Sequence, residues 1–396
     1  MIKSKEGPLK AAVIFGTRPE AIKLAPLVRR LAKIPDRFRP VTIVTAQHRE
    51  MLDQVLDLFS IRPDHDLHII RPRQTLAQIT AHAITGLDNL LAHERPDFVV
   101  VQGDTSTTFV GALAAYYHKI PVAHVEAGLR TKQKFYPFPE EMNRKLTSAL
   151  TDAHFAPTAE ARQNLLNEGI SADCIWVTGN TVIDALQDVL RWERTCSHPV
   201  LARVAAEQRR MILVTSHRRE NQGKSQEQIC SALLDLVTAF EDVLVVFPVH
   251  RSPAVRDTIM PRLKEQDRII LLDPLNYFET VHFMKASFLI LTDSGGIQEE
   301  APALGKPVLV LRDTTERPEG LAAGTVRLVG TDSRMIVKET SRLLSLPEAY
   351  QQMSEAVNPY GDGHACERIL QALEHLAGRA ASPQPFVSTT DRIHRE

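Results

Sequence analysis

The sequence predicts an α/β protein made of two doubly wound, Rossmann-like lobes with a central cleft, and three observations carry that reading. Short runs of Val, Ile and Leu alternate with longer amphipathic segments over most of the 396 residues, as βαβ units around a parallel sheet require. The runs are continuous instead of alternating, which suits strands buried on both faces. The pattern also stops after a helical stretch at 182–194 and then begins again.

In the first lobe the strands are expected at 11–15, 41–45, 67–70, 98–102, 121–126 and 154–157, with helices at 20–33, 76–92 and 107–117. In the second they are expected at 211–215, 243–247, 269–272, 288–292, 308–311 and 326–329. The segment 196–210, with Pro199 and little periodicity, reads as the linker, so the lobes are expected at 1–195 and 196–360. Residues 381–396 are polar and unpatterned and read as a frayed tail.

Composition narrows the function classes. Lys+Arg is 47 and Asp+Glu is 48, a net charge of −1, so nothing draws the chain toward nucleic acid or an anionic membrane. Cys174, Cys196, Cys230 and Cys366 lie 22, 34 and 136 residues apart, and no CxxC pair offers zinc, iron–sulfur or redox chemistry. Scattered thiols of this kind read as reduced core residues of a cytoplasmic protein. No apolar run reaches the roughly 18–20 residues of a membrane span, and Gly16 and Arg18 interrupt the first apolar stretch too early for a signal peptide.

In open α/β sheets ligands bind off the carboxyl ends of the strands, so the polar residues that follow each strand are the candidates. The first lobe offers Thr17-Arg18, Gln47-His48-Arg49, Gly103-Asp104 and Glu126; the second offers His217, His250-Arg251, Asp293-Ser294-Gly295-Gly296 and Arg312-Asp313. Where Thr292 leads into Ser294, Gly295 and Gly296, a strand gives way to a helix whose first N–H groups would suit a phosphate. The same residues suit an ordinary serine cap with a tight turn. Arg317, Arg18 and Lys23 favour the anionic ligand, a diphosphate for example. Glu300, inside that helix, suits two ribose hydroxyls or else is a solvated helix charge.

Asp104, Glu126 and Glu140 are the candidate acid–base carboxylates, with His217 able to move a proton or hold a phosphate oxygen. Asp104 could instead cap the helix beginning at Thr105, Glu140 could pair with Arg144 four residues on, and His217 could be a solvated loop residue. Spacing favours function for Asp104 and Glu126 and leaves the other two open. Asp64-His65-Asp66 precedes its expected strand and reads as a turn, not a metal motif. Gly223-Lys224-Ser225 lacks the glycine a P-loop needs at position 218, which is Arg. There is no GxGxxG or GxSxG, and the 15 histidines show no ligand spacing, so neither a nicotinamide cofactor nor a metal is expected.

Taken together, the motifs resemble the bacterial non-hydrolysing UDP-N-acetylglucosamine 2-epimerases. They include Gly16-Thr17-Arg18-Pro19-Glu20-Ala21-Ile22-Lys23, Gly103-Asp104-Thr105, His124-Val125-Glu126-Ala127-Gly128-Leu129-Arg130-Thr131 and Pro137-Phe138-Pro139-Glu140-Glu141. Later in the chain come Thr178-Gly179-Asn180-Thr181, His217-Arg218-Arg219-Glu220, the stretch 292–302, and Asp313-Thr314-Thr315-Glu316-Arg317-Pro318. The resemblance runs from about residue 10 to about 375. It implies a GT-B-type fold, UDP held mainly by the second lobe, and helices at about 360–380 that pack back on the first.

It also implies interconversion of UDP-N-acetylglucosamine and UDP-N-acetylmannosamine for cell-envelope polysaccharide, without a cofactor, by a cytoplasmic homodimer. UDP would be eliminated to a glycal and added back. By motif match Asp104, Glu126 and Glu140 are the carboxylates and His217 serves the phosphate or the proton transfers. Arg18, Lys23, Ser294, Gly295, Gly296 and Arg317 would grip the diphosphate and sugar, Glu300 the ribose, and Leu275 and Thr280 would belong to a uracil strap at 273–280. Gln47, Arg73, Arg218, Arg219 and His250 match a site where some members bind UDP-N-acetylglucosamine as an activator. The chain departs from the family pattern at Lys132, where Gly is frequent, and at Tyr136, where Ser is usual; Leu275 and Thr280 stand where some members have Gln and Phe. The competing readings are a hydrolysing 2-epimerase, a GT-B glycosyltransferase and a non-catalytic UDP-sugar sensor.

Overall fold

The structure is a computed structural model that describes residues 6–45, 49–71 and 73–388. Its contacts divide the chain into two compact units, Met1–Asp188 with Tyr360–Glu396, and Val189–Pro359.

The first unit contains β1 (Leu9–Phe15), β2 (Phe38–Val44), β3 (His65–Asp66), β4 (Phe98–Gln102), β5 (Val122–Val125), β6 (Ala153–Ala156) and β7 (Ile175–Val177). All pair in parallel, in the order β3-β2-β1-β4-β5-β6-β7. β4 and β5 are buried at every residue, which is why their sequences are mostly apolar, without in–out alternation. On one face Ile14, Val99 and Val101 pack with Leu87, Leu91 and Ala114. The strand expected at 67–70 is replaced by β3, two residues earlier, because His68 takes φ 45° and turns the backbone out of the sheet. His65 and Asp66 therefore form this edge strand, with Asp64 in the bend just before it. Asp64 accepts the Thr42 N–H at 2.7 Å, a structural tie.

The last helix, Ala365–Leu376, returns to this unit. The fully buried Asp184 accepts the N–H groups of Ala365 at 3.1 Å and Cys366 at 3.0 Å, capping that helix from 181 residues away. Arg37 pairs with Glu374 at its other end. Residues 381–388, expected to fray, are held. The Phe386 N–H donates to the Val177 carbonyl at 2.8 Å, Trp176 Nε1 donates to Ser382 Oγ at 3.0 Å, and Phe386 and Ser388 are buried. The edge strand β7 supplies an open backbone acceptor and an apolar flank that polar composition does not reveal. Residues 389–396 lie outside the described residues.

The second unit contains β8 (Arg210–Thr215), β9 (Val243–Pro248), β10 (Ile269–Leu272), β11 (Leu289–Thr292), β12 (Val308–Val310) and β13 (Val326–Leu328). They are parallel, in the order β10-β9-β8-β11-β12-β13. Ile212, Val245, Phe247 and Leu291 form a core with Leu233, Leu236, Ile336 and Leu343. The division at Asp188 falls inside the helix Thr181–Arg191, ahead of the expected linker. Within that expected linker the structure has the helix Pro199–Glu207, with His198 Nδ1 accepting the Val200 N–H at 3.2 Å. Pro199, named as a feature of the expected linker, stands at the first helical position, where a missing N–H is harmless.

Each sheet thus reverses direction once, between its first and fourth strands: β1 and β4 in one unit, β8 and β11 in the other. These reversals are the topological switch points where open sheets bind ligands.

Candidate active site

At the first switch point β1 ends and the chain turns through Gly16 and Thr17 into the helix Arg18–Ala32. A Cβ on Gly16 would sit 2.1 Å from Thr45 Oγ1 and 2.5 Å from Thr107 Oγ1, which bond each other at 2.8 Å. Glu20, fully buried, ties this turn together. Its Oε2 accepts Gly16 N–H at 3.0 Å, Thr17 N–H at 2.8 Å and Thr17 Oγ1 at 2.7 Å, while Oε1 accepts Thr105 Oγ1, beyond β4, at 2.6 Å. Burial pushes the Glu20 pKa up even though its hydrogen bonds work the other way.

The turn places half-buried Arg18 on the first helical turn and brings Lys23 into an ion pair with Glu126. Glu126 leaves the end of β5 with φ 64°, a left-handed backbone that is unusual for glutamate. Its buried carboxylate also accepts Asn180 Nδ2 at 3.0 Å.

Asp104 follows Gly103, itself at φ 74°, off the end of β4. Arg144 donates to its Oδ2 twice, from Nε at 2.9 Å and Nη2 at 2.6 Å, and Asn143 Nδ2 donates to its carbonyl at 2.9 Å. Both guanidinium bonds fall on Oδ2, and Oδ1 accepts no bond from the described residues. The helix cap is Thr105, whose hydroxyl accepts the Thr108 N–H at 3.2 Å, so Asp104 is not occupied with capping. His124 Nε2 donates to the Gly103 carbonyl at 2.7 Å, and burial lowers this imidazole to about 4.

Glu140 opens the helix Glu140–Leu150 and is half-buried. Arg144 is committed to Asp104 and to the fully buried Glu141, 3.1 Å from its Nη1. Glu141 also accepts the N–H groups of Thr131 at 3.0 Å and Lys132 at 3.1 Å, fixing the loop that leads to Glu140. Lys132 sits at φ 63°, which explains why glycine is frequent there in the resembled family. Arg73 is exposed, at φ 58°, and Gln47 lies outside the described residues.

The second switch point centres on Asp293, fully buried at the end of β11. Its Oδ2 accepts Ser216 Oγ at 3.2 Å, the N–H groups of His217 and Arg218 at 2.9 Å each, and Asn221 Nδ2 at 3.0 Å. Its Oδ1 faces His217 Nδ1 at 3.2 Å. Burial works to raise the Asp293 pKa, but the His217 contact and the backbone donors outweigh it and hold the group below the usual carboxylate value. The rings of His217 and His250 stack at 6.1 Å and 23°.

The helix Gly295–Glu300 starts directly after Ser294, whose hydroxyl makes no capping bond, so the ordinary serine cap is not what the structure has. A Cβ on Gly295 would lie 3.8 Å from Arg218 Nη2 and 3.9 Å from Arg317 Nη2, so two guanidinium groups converge where helical N–H groups begin. Arg218 is anchored by the Asp293 carbonyl at 3.0 Å from Nε, and Arg317 by the buried Glu299. Gly296 is half-buried beside them; for Arg219 the side chain is outside the description.

Glu300 is buried and accepts the Tyr277 hydroxyl at 2.8 Å, so it is not a solvated helix charge. Leu275 and Thr280 are half-buried, and the Thr280 hydroxyl donates to the Asn276 carbonyl of its own helix at 2.8 Å.

The first unit therefore joins Lys23 to Glu126 and holds Asp104 on the neighbouring strand. The second gathers His217, Arg218, His250, Arg317 and the turn 294–296. The anchors Glu20, Asn180, Arg144, Glu141, Glu299 and Tyr277 were not among the sequence-derived site residues, and Asp293 was noted only as a polar residue at a strand end, with no role. For Glu20 the available signal was its place three residues beyond Thr17, the pattern of a capping box. Among the described residues no group of three or more His, Cys, Asp or Glu side chains is arranged to hold a metal.

The family model for UDP-N-acetylglucosamine 2-epimerase matches residues 30–374. The UDP-N-acetylglucosamine 2-epimerase of Bacillus subtilis strain 168 is 55% identical over 379 residues, 96% of this chain and 98% of that one. Its counterpart in Escherichia coli K12 is 54% identical over 376 residues, 93% of this chain and 99% of that one. The crystal structure of the Neisseria meningitidis UDP-GlcNAc 2-epimerase bound to UDP-GlcNAc is similar at TM-score 0.86 and 47% identity, covering 93% of this chain and all 100% of that chain.

Proposed function

Because the chain belongs to the UDP-N-acetylglucosamine 2-epimerase family, with its GT-B-type fold, and is an isomerase, we propose how its residues divide the reaction. The substrate pair is UDP-N-acetylglucosamine and UDP-N-acetylmannosamine, and neither is hydrolysed. The C2 proton of the sugar has no neighbouring carbonyl, so simple removal and return of that proton lacks a stabilised carbanion. Elimination avoids the difficulty. A carboxylate takes the C2 proton, the C1–O bond breaks with its electron pair going to UDP, and a C1–C2 double bond forms. UDP then adds back at C1 while a proton reaches C2 on the other face.

Asp104, Glu126 and Glu140 are the carboxylates in this reading, with no face assigned to any one of them. Two carboxylates in unlike settings can take opposite acid and base roles, and Asp104 on Arg144 differs from Glu126 on Lys23 and Asn180. The departing diphosphate is held by Arg218, Arg317, His217 and the N–H groups after Ser294, with Arg18 and Lys23 as further cations. Glu300 takes the ribose. Charge that develops on a leaving oxygen is best met by donors fixed in advance, and Arg218 and Arg317 are each fixed by a buried partner. The observation that carries the proposal is the pair Asp104 and Glu126, anchored to different cations at the ends of adjacent strands.

The enzyme works in the cytoplasm as a homodimer in this reading, supplying an envelope-polysaccharide precursor. Among the described residues no helix is long and apolar enough to cross a membrane. Proton NMR of UDP-N-acetylglucosamine with the enzyme in D2O tests the chemistry. UDP-N-acetylmannosamine carrying deuterium at C2, with no free sugar, is expected. Free N-acetylmannosamine with UDP would overturn the non-hydrolysing reading, and an unchanged spectrum would overturn the choice of substrate.

A further inference from the structure

We propose that Asp293 is a positioning residue that sets the tautomer of His217, leaving Nε2 as the working nitrogen of that ring. Four donors from Ser216, His217, Arg218 and Asn221 converge on Oδ2, so the carboxylate cannot rotate and Oδ1 stays aimed at His217 Nδ1, 3.2 Å away. Oδ1 is buried and has no other donor among the described residues, and an ionised carboxylate only accepts, so the contact favours a hydrogen on Nδ1. Neutral His217 then offers a lone pair at Nε2, and protonated His217 offers Nε2–H with its charge balanced by Asp293. His217 is an exposed residue, its side chain 46% accessible, so the ring can meet a ligand.

The neighbours agree with this assignment. His250 Nδ1 accepts the Ser252 N–H at 3.1 Å, which puts its own hydrogen on Nε2. Burial and the adjacent His217 hold His250 below its ordinary pKa, so it stacks on His217 as a neutral ring. Arg218, the next residue, is held by the Asp293 carbonyl and by Glu316. One residue thus aims both groups: its carboxylate orients the imidazole and its backbone oxygen orients the guanidinium.

The inference rests on the proposed role of His217 at the diphosphate, and it separates Asp293 from a mere loop brace. The test compares wild type, Asp293→Asn, His217→Asn and the double variant, all as full chains. Long-range proton–nitrogen NMR of the histidine rings, with the His217 signals identified by their loss in His217→Asn, reads the tautomer directly. Nδ1–H is expected in wild type and Nε2–H, or a mixture, in Asp293→Asn; the same tautomer in both would overturn the proposal. Turnover of UDP-N-acetylglucosamine is expected to fall at least about 10²-fold in Asp293→Asn, with KM changed by less than about threefold.

In the His217→Asn background the same substitution should add almost nothing, because a residue acting through His217 has nothing left to act on. A full, additive loss would make Asp293 a structural residue and overturn the proposal. If His217→Asn turns over at the wild-type rate, the role of His217 fails, while the tautomer spectra still judge Asp293. Should Asp293→Asn not fold, Asn221→Ala removes one Oδ2 donor and should move the tautomer the same way; no movement would count against the proposal.

Discussion

The two switch points solve one problem from opposite sides. In each unit the loops leaving the first and fourth strands must be tied, and in each a single buried carboxylate does it. Glu20 follows the first strand and reaches Thr105, beyond the fourth. Asp293 follows the fourth strand and reaches back to Ser216, His217, Arg218 and Asn221, beyond the first. Their chemistry then diverges. Glu20 collects hydroxyls and two amides, and burial raises its pKa. Asp293 collects amides and an imidazole, and its pKa is lowered. Shared topology fixes where a tie is needed, while the partner decides whether the tie also carries charge into the site.

The largest effect expected of that division lies in turnover. Glu126→Gln should reduce epimerisation by about 10²–10⁴-fold while calorimetry still finds UDP bound with wild-type affinity. Lost UDP binding would mean that the carboxylates and the nucleotide site are not assigned to separate units.

Next in size is stability. Glu20→Ala strands several buried donors at about 1–3 kcal/mol each, so urea unfolding should lose at least about 3 kcal/mol, and a loss below about 1 kcal/mol would leave Glu20 no tying role.

The two glycines at the strand ends sharpen the contrast. Gly16→Ala should lower stability by about 1–3 kcal/mol through overpacking. Gly295→Ala meets only Arg218 and Arg317 at 3.8 and 3.9 Å, and should leave stability nearly unchanged while weakening UDP binding.

Near neutral pH the smallest effect is in the pH dependence of unfolding, which grows only as the solution is acidified. Unfolded imidazoles take up protons near 6.5, but buried His124 does so only at about 4 and His154 at about 3, so stability falls as pH drops below 6.5. Glu20 acts in the opposite sense. Its raised pKa lets the folded state bind a proton before the unfolded chain does, which favours folding on acidification until the unfolded carboxylate also protonates near 4.5. His154→Gln should make the acid loss shallower and Glu20→Gln should make it steeper. Equal slopes would show that neither group titrates with folding.

Much of this architecture was legible in advance because parallel strands buried on both faces leave apolar runs without alternation, as in β4 and β9. The failures have local causes. The three residues of β7 are too few to make a pattern, His68 shortens β3, and Pro199 starts a helix inside the expected linker. Residues at strand ends could be found because strand ends could be found. Their anchors could not, since the Glu20–Thr105, His217–Asp293, Asn180–Glu126 and Arg144–Asp104 contacts span 85, 76, 54 and 40 residues. Lys132 illustrates the same gap. Its departure from glycine was visible in the sequence, but its left-handed backbone and the Glu141 carboxylate that holds it were not.

The return of the helix Ala365–Leu376 to the first unit bears on the order in which the chain acquires its shape. As it leaves the ribosome, all of Val189–Pro359 is available before the amides of Ala365 and Cys366 can reach Asp184. The unit Val189–Pro359 can therefore mature while the first unit still lacks the helix Ala365–Leu376. A nascent chain stopped short of residue 365 would keep Asp184 and Arg37 waiting for partners that only the helix Ala365–Leu376 delivers.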